Sequence, residues 1–282
     1  MPSVTVSRAN LHVATRRLPL GEYFLAIWAR RHFIYADSKA RAFKVGSGTF
    51  LGRAWIVVDP LLQVAIYSLV FGVMLRVDRG IDNFVGFLIL GVIVFGFFSK
   101  GINGAAGILD KYRNLLDAFT FPAVCALLSS ISRQMMENLV PMSLSLVVAT
   151  LAQPDKGISV WAVLVIPLYL LAHLFILGAT LIVARAVDRV PDLGNVVNVC
   201  MRCLFFLSGI FYPISRFDSH PVLHDLMVLN PIYQFLTSFR VVVLDGKPPT
   251  EFTMTYLLSW TVGLLVFGGL YFWRGEGGYG RR

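Results

Sequence analysis

Charge is scarce in this 282-residue chain: 15% of residues are Asp, Glu, Lys or Arg, against 56% hydrophobic, and the mean hydropathy is +0.70. Soluble domains carry about a quarter charged residues, so this composition excludes one. Cysteine is scarcer still. Cys125, Cys200 and Cys203 all fall in apolar stretches, and Cys200-Met201-Arg202-Cys203 spells C-x-x-C without a second pair or a histidine beside it. Neither a disulfide framework nor a metal site is expected from them. Nucleotide motifs are missing too. The nearest spacing to a phosphate-binding loop, Gly91 to Gly96, runs on into Phe97 inside an apolar stretch, and H-E-x-x-H does not occur. Work against a gradient therefore needs another subunit or an ion. Proton pumping needs a chain of acids across the bilayer, which the apolar segments lack. A membrane enzyme acting on polyprenyl phosphates needs clustered acids or histidines, and the lone His173 reads as a structural residue. No catalytic residue is expected, and residues 1–18 hold no apolar core of signal-peptide length.

What the chain does have is long apolar runs. Spans are expected over Ala54 to Leu75, Phe84 to Ser99, Val124 to Leu151, Val160 to Ala184, Asn195 to Gly209 and Met254 to Trp273, the length of the chain leaving room for about six crossings of roughly 20 residues. The first has Asp59-Pro60 near its start, and the second continues through Gly101, Gly104 and Gly107, whose spacing suits close helix contact. Between the last two spans the pattern breaks. Leu207-Ser208-Gly209-Ile210-Phe211-Tyr212-Pro213-Ile214 and Leu229-Asn230-Pro231-Ile232-Tyr233 flank a polar patch, and each apolar piece is too short to cross. Both prolines interrupt a helix. Broken backbone at membrane depth survives only where protein or a water path covers it, so a re-entrant hairpin is expected.

Polar segments complete the plan. Residues 1–53 form an arm with nine Lys/Arg against Glu22 and Asp37. In front of a membrane domain that bias marks a cytoplasmic arm beside anionic lipid rather than a nucleic-acid site. Leu20, Tyr23, Phe24, Ile27 and Trp28 make one apolar stripe, read as an interfacial helix with Trp28 as anchor and Arg30 and Arg31 at the head groups. A basic elbow holding Lys39, Arg41 and Lys44 follows, then Gly46-Ser47-Gly48 as a joint. Leu109 to Phe119 is a short, charged, amphipathic helix. With both termini inside, the inner segments hold 17 Lys/Arg and the outer ones six, Arg240 counted among the latter. The arm 1–53, a six-span unit 54–273 and a tail 274–282 are the expected divisions.

Few ionisable residues fall within spans. Arg133 and Glu137 stand one turn apart, either as an internal pair or with Arg133 meeting a lipid phosphate at a lateral entrance. Asp59 either pairs with Arg133 or faces water; Arg202 either lines a polar path or reaches a carbonyl or the interface. Tyr and Trp near span ends, among them Trp55, Tyr67, Trp161, Tyr212, Tyr233 and Trp273, fit interfacial belts, while a path lined by aromatic and small polar groups would suit a sugar chain.

The order of parts, with Leu51-Gly52-Arg53-Ala54-Trp55-Ile56-Val57-Val58-Asp59-Pro60-Leu61, Ser208-Gly209-Ile210-Phe211-Tyr212-Pro213-Ile214 and Asn230-Pro231, resembles the permease subunit of ABC-2 type transporters over nearly the whole chain. The polysaccharide exporters for O-antigen, teichoic acid or cell-wall galactan are the nearest in pattern. The resemblance implies an all-α membrane protein of six spans in the cytoplasmic membrane, paired with a second copy and two cytoplasmic ATPase subunits that bind ATP and Mg. This subunit itself would hold no cofactor. It further implies a coupling helix carrying Asp110, Lys111, Tyr112, Arg113, Asn114 and Asp117, and an outward gate at Phe211, Tyr212, Pro213, Asn230, Pro231 and Tyr233. A lipid-linked polysaccharide is the implied cargo; a small drug or lipid is the alternative.

Overall fold

The computed structural model describes residues 18–42, 52–74, 81–118 and 122–279, with the backbone alone for Arg53 and residues 115–118. Among these residues all regular structure is helical. Two short helices lead, α1 (Leu20–Ala29) and α2 (Arg31–Ala42). Then come α3 (Trp55–Tyr67), prolonged as a π-helical segment to Met74, and α4 (Phe84–Ala105), capped by the Asn83 side chain accepting from the Gly86 amide at 2.8 Å. The short α5 (Ile108–Ala118) precedes α6 (Val124–Leu151), α7 (Val165–Arg189) and α8 (Leu193–Leu207). Next are α9 (Pro221–Val228), α10 (Pro231–Arg240), carried on by a π turn to Asp245, and α11 (Glu251–Trp273).

Among the described residues, four helical stretches are long and apolar enough to cross a bilayer: Trp55–Met74, Phe84–Ala105, Val160–Arg189 and Glu251–Trp273. The other two expected spans depart from that standard for different reasons. α6 has 28 residues, but Ser129, Gln134, Asn138 and Ser145 lower its hydropathy, and all four are buried against neighbouring helices. Gln134 donates to the Phe97 carbonyl at 2.7 Å, and Asn138 meets His173 at 3.1 Å, so their polar atoms are satisfied inside the bundle. α8 has 15 residues, about 22 Å at 1.5 Å per residue, against a hydrocarbon core of roughly 30 Å.

Hydrogen bonds between helix ends fix the direction of each element. At one end, Asn83 donates to Ala149 (2.9 Å), Gln153 to Val243 (3.3 Å) and Ser159 to Gly246 (3.0 Å), which joins the start of α4, the end of α6, the approach to α7 and the loop before α11. At the other end, Glu276 beyond α11 accepts from the Tyr23 hydroxyl of α1 at 2.8 Å and from the Ala123 amide ahead of α6, and Trp273 donates to Leu18 at 3.0 Å. α4, α7 and α11 therefore run in one direction and α6 in the other. The N-terminal helices and the C-terminal tail share one end.

α4 is the central helix, with Leu88, Ile89, Leu90, Val94 and Phe98 almost fully buried. α7 and α11 approach closely through glycine: a Cβ at Gly178 would lie 2.7 Å from the Leu264 carbonyl carbon, and one at Gly268 2.5 Å from the Gly178 oxygen. Of the glycines expected to smooth α4, only Gly101 serves a contact, against Ile176 and Gln134. Gly104 faces open space, and Gly107, at φ +80°, is the left-handed joint that ends the helix before α5. Pro60 lies in the second turn of α3 rather than its first, because the helix proper begins at Trp55.

The expected elbow is instead the helix α2, because its polar side bonds to α6: Ser38 donates to the Ser129 carbonyl at 3.0 Å. The apolar stripe of α1 divides. Tyr23 is buried and Ile27 packs against the protein, whereas Phe24 and Trp28 are 67% and 68% exposed. Lys44, the Gly46–Gly48 joint, the polar tail before Leu18 and Arg281 and Arg282 lie outside the described residues.

Gly268→Val should break the α7–α11 contact, costing about 1–3 kcal/mol for forced overpacking, read as a lower unfolding temperature in detergent. Burial pushes the Glu276 carboxyl from 4.5 up to about 7, against the hydrogen bonds from Ala123 and Tyr23. Its contribution to stability is fully present below the unfolded value of 4.5 and is lost as pH rises through about 7. Glu276→Gln should therefore gain on the parent protein in thermal unfolding between pH 5 and pH 8, by at most roughly 3 kcal/mol. An unchanged gap across that range would contradict the buried carboxylate.

Candidate functional site

The chain between α8 and α11 is where regular structure is given up. α8 stops at Leu207, Gly209 turns at φ +62°, and the segment to Pro213 is irregular before a single 3-10 turn, Ile214–Phe217. α9 and the α10 stretch to Asp245 then meet at a bend of 77°. Pro221 and Pro231 each sit in the first turn of their helices, where the missing amide is harmless, and Asn230 caps α10 by accepting from the Ile232 amide at 3.0 Å. The prolines thus start helices here as well as interrupting them.

Backbone released at this depth needs partners, and Arg240 supplies most of them. Its Nη1 donates to the Gly209 carbonyl at 2.8 Å, Nη2 to Ile210 at 3.0 Å and Nε to Phe87 of α4 at 3.1 Å. The guanidinium also lies 3.4 Å from the centre of the Phe87 ring. Room for it comes from Gly91, where any Cβ would strike the guanidinium. Asn230 adds a donor to Ser208 Oγ at 2.9 Å, and Gln234 donates to Val228 at 2.7 Å. Counting Arg240 as an outer surface cation was therefore wrong. The signal available was a lone arginine between Phe239 and Val241 in an apolar run.

The expected gate residues gather around this anchor. Phe211 is buried and stacks on Phe71 of the α3 extension at 3.9 Å, with Tyr67 at 5.1 Å and Phe205 at 5.2 Å. Tyr212, half-buried, donates to the Phe206 carbonyl, and Tyr233 is buried under Gly209. Tyr67 and Tyr233 thus pack within the protein rather than joining an interfacial belt, because the hairpin's rings need partners. Pro213 and Pro231 flank the break.

A second group of residues lies at the opposite end. Asp37 of α2 accepts from Arg41 (2.7 Å), Tyr112 of α5 (2.8 Å) and Ser129 of α6 (2.5 Å). Burial alone raises this carboxyl, but the hydrogen bonds from Ser129, Arg41 and Tyr112 outweigh it and hold it below the usual carboxylate range. One expectation changes here. Tyr112 is 3% exposed and points into the fold, because its hydroxyl completes the Asp37 shell, and Arg41 stacks 4.6 Å over the Tyr112 ring. Asp110 and Arg113 pair at 2.5 Å on the outer face of α5, beside the exposed Lys111 and Asn114. The Asp117 side chain lies outside the described residues.

The charged span residues are placed as follows. Glu137 pairs first with Lys100 at 2.6 Å and only then with Arg133 at 3.6 Å. Asp59 does not meet Arg133; it is exposed and accepts from Gln63 at 2.9 Å. Arg202 lines an open cavity of about 540 Å³ between α4 and α8, with Ser99, Asn103, Asn195 and Asn198. No acid lines that cavity. Trp28, Arg30 and Arg31 are exposed, Arg31 lying 5.2 Å over the Trp28 ring. No group of His, Cys, Asp and Glu that could hold a metal occurs among the described residues.

Comparison with known proteins agrees with this geometry. Residues 40–244 match the family described as ABC-2 type transporter, a range that runs from the end of α2 through the hairpin. The O-antigen export system permease protein RfbA of Myxococcus xanthus is 27% identical over 219 residues, covering 77% of this chain and 82% of its own. The polysialic acid transport protein KpsM of Escherichia coli is 24% identical over 232 residues (81% and 88%), and RfbA of Klebsiella pneumoniae 23% over 228 (79% and 85%).

Arg240→Met should leave the buried Gly209 and Ile210 carbonyls without a donor and cost about 3–5 kcal/mol, the range for breaking a buried charged contact. The expected readout is faster amide hydrogen exchange over 208–214 while α7 and α11 keep their protection.

Proposed function

The chain belongs to the ABC-2 type transporter family, and from that premise we propose that it is the membrane subunit of an exporter that moves a lipid-linked polysaccharide across the cytoplasmic membrane. The carrying observation is that the family match spans the hairpin and α5 together, and that relatives over most of their length bear the names of O-antigen and polysialic acid export proteins. The cargo reading draws on the α4–α8 cavity, where Ser99, Asn103, Asn195 and Asn198 offer hydroxyl and amide groups beside Arg202. Neutral donors and acceptors suit sugar hydroxyls, and no fixed carboxylate impedes an anionic glycan. Export of a small drug or lipid stands behind it, since a closed apolar cleft would fit such cargo better than this polar wall.

In this reading the protein crosses six times. α6 is a crossing whose polar groups face inward, and α8 crosses most of the way before the hairpin fills the remaining depth. The shared end of α1 and the tail beyond α11 supports an even number of crossings, and the excess of Lys/Arg supports a cytoplasmic position for that end. α1, with Phe24 and Trp28 outward, lies along the interface. A second copy would cover apolar faces that one chain leaves bare on α3 and α8, such as Leu62, Ile66, Val196 and Val199. Two cytoplasmic ATPase subunits bind ATP and Mg and push on α5, whose Asp110, Arg113 and Asn114 face outward while Ile108, Leu109 and Tyr112 fix it to the fold. The lever works because its inner side is anchored.

Co-expression with the partner ATPase tests this. The complex should copurify, show ATP hydrolysis that the permease alone lacks, and carry glycan-bearing lipid detectable by mass spectrometry. Asp110→Ala with Arg113→Ala should lower ATPase association at least tenfold with the permease's own unfolding temperature unchanged. Nucleotide hydrolysis by the purified chain alone would overturn the proposal.

A further inference from the structure

Two cavities that share Lys100 lie apart from the hairpin. The smaller, about 130 Å³, where α2, α4, α5 and α6 meet, is lined by Arg41, Lys100, Lys111 and Arg133, one cation from each of those four helices. No carboxylate lines it. The acids that serve these cations stand outside its wall: Asp37 bonds Arg41, and Glu137 bonds Lys100 and, more weakly, Arg133. Lys111 makes no ion pair among the described residues, so four positive groups meet two negative ones. The space is kept open by Gly104, where a Cβ would meet nothing within 4 Å. Its volume leaves room for a phosphate group.

Lys100 also lines the second cavity, about 580 Å³, which runs between α3, α4 and α6. Its walls are mainly apolar, with Trp55, Ile56, Pro60, Val92, Ile93 and Phe97 among them. Two acids border it, and both are engaged: Asp59 by Gln63 and Glu137 by Lys100. Those carboxylates repel an anionic group from the groove itself, which leaves the phosphate the smaller, cationic space. A head group in one cavity and a hydrocarbon chain in the other fit a single molecule.

We propose that the two cavities form one lipid-phosphate site, with the phosphate held by Arg41, Lys100, Lys111 and Arg133 and the chain lying along the α3–α4–α6 groove. Guanidinium groups match phosphate oxygens in pairs, and the ammonium groups add charge without a fixed direction. The bound phosphate ties α5 to α2, α4 and α6 through Lys111, so occupancy stiffens the element that the ATPase pushes. Only the chain's identity rests on the export reading: a polyprenyl phosphate carrier or an anionic phospholipid brings the same chemistry.

Thermal unfolding of the full chain in detergent, with added lipid, tests the site. Probes are polyprenyl phosphate, phosphatidylglycerol, the corresponding prenol without phosphate, and inorganic phosphate. One or both lipid phosphates should raise the unfolding temperature saturably; the prenol and inorganic phosphate should not. Stabilisation by the polyprenyl phosphate alone assigns the site to the carrier, and stabilisation by both assigns it to lipid phosphates in general. Gly104→Leu, which fills the space without removing a charged group, and Lys111→Ala should each weaken the apparent affinity at least tenfold while the lipid-free unfolding temperature stays put. Unaltered affinity in both variants, or inorganic phosphate acting as strongly as the lipids, overturns the proposal. Export that continues without any such binding would sink this site and leave the export reading standing; binding without ATPase association would do the reverse.

Discussion

The protein is built around a debt of hydrogen bonds. α8 ends before it has crossed a hydrocarbon layer, and the carbonyls of Gly209 and Ile210 have no turn of helix to receive them. Water is not at hand there, and each unsatisfied group would cost several kcal/mol. Arg240 meets both carbonyls and a third on α4, and a buried arginine, itself costly, is tolerable because five donors find so many acceptors. Other choices follow from that placement. Gly91 must lack a side chain, Gly209 must turn left-handed, and Asn230 must cap α10 so that Arg240 arrives at the right height.

A different polar hub governs the opposite end. Asp37 gathers donors from α2, α5 and α6, while Glu276 gathers α1, the start of α6 and the tail. The two carboxyls behave differently because their company differs. Asp37 has a guanidinium and hydroxyls and keeps its charge; Glu276 has only a phenol and one amide, and burial prevails. α5 is therefore held by an ionised hub that persists at neutral pH, whereas the tail clasp loosens across the range in which Glu276 ionises.

Periodicity and length made the long helices legible from the sequence, and the broken pattern from Leu207 to Tyr233 located the hairpin. Where the reading failed, the missing knowledge was which polar groups find each other across the fold. Arg240 and Arg113 look alike in a sequence, but only packing shows that one is enclosed by α4 and the other faces out. Tyr112 was expected on a docking surface because it lies on a charged helix; its hydroxyl instead belongs to a carboxylate 75 residues earlier. Glu137 lay one turn from Arg133, yet the shorter bond goes to Lys100, 37 residues away. A residue's helix can be read locally, but its partner cannot.

Two kinds of contact hold the hairpin. Phe211 is kept in place by rings, Phe71, Tyr67 and Phe205, and an aromatic pair is worth about 0.5–1.5 kcal/mol beyond its burial. Arg240's carbonyl bonds are each worth about 1.5–3 kcal/mol, and breaking them exposes the desolvation cost as well. The two act on different neighbours. Directional bonds tie Gly209 and Ile210 to α10 and, through the same guanidinium, to α4, whereas stacked rings set Phe211 against α3, its extension and the end of α8. The broken backbone after Leu207 thus needs polar partners on one side and apolar ones on the other.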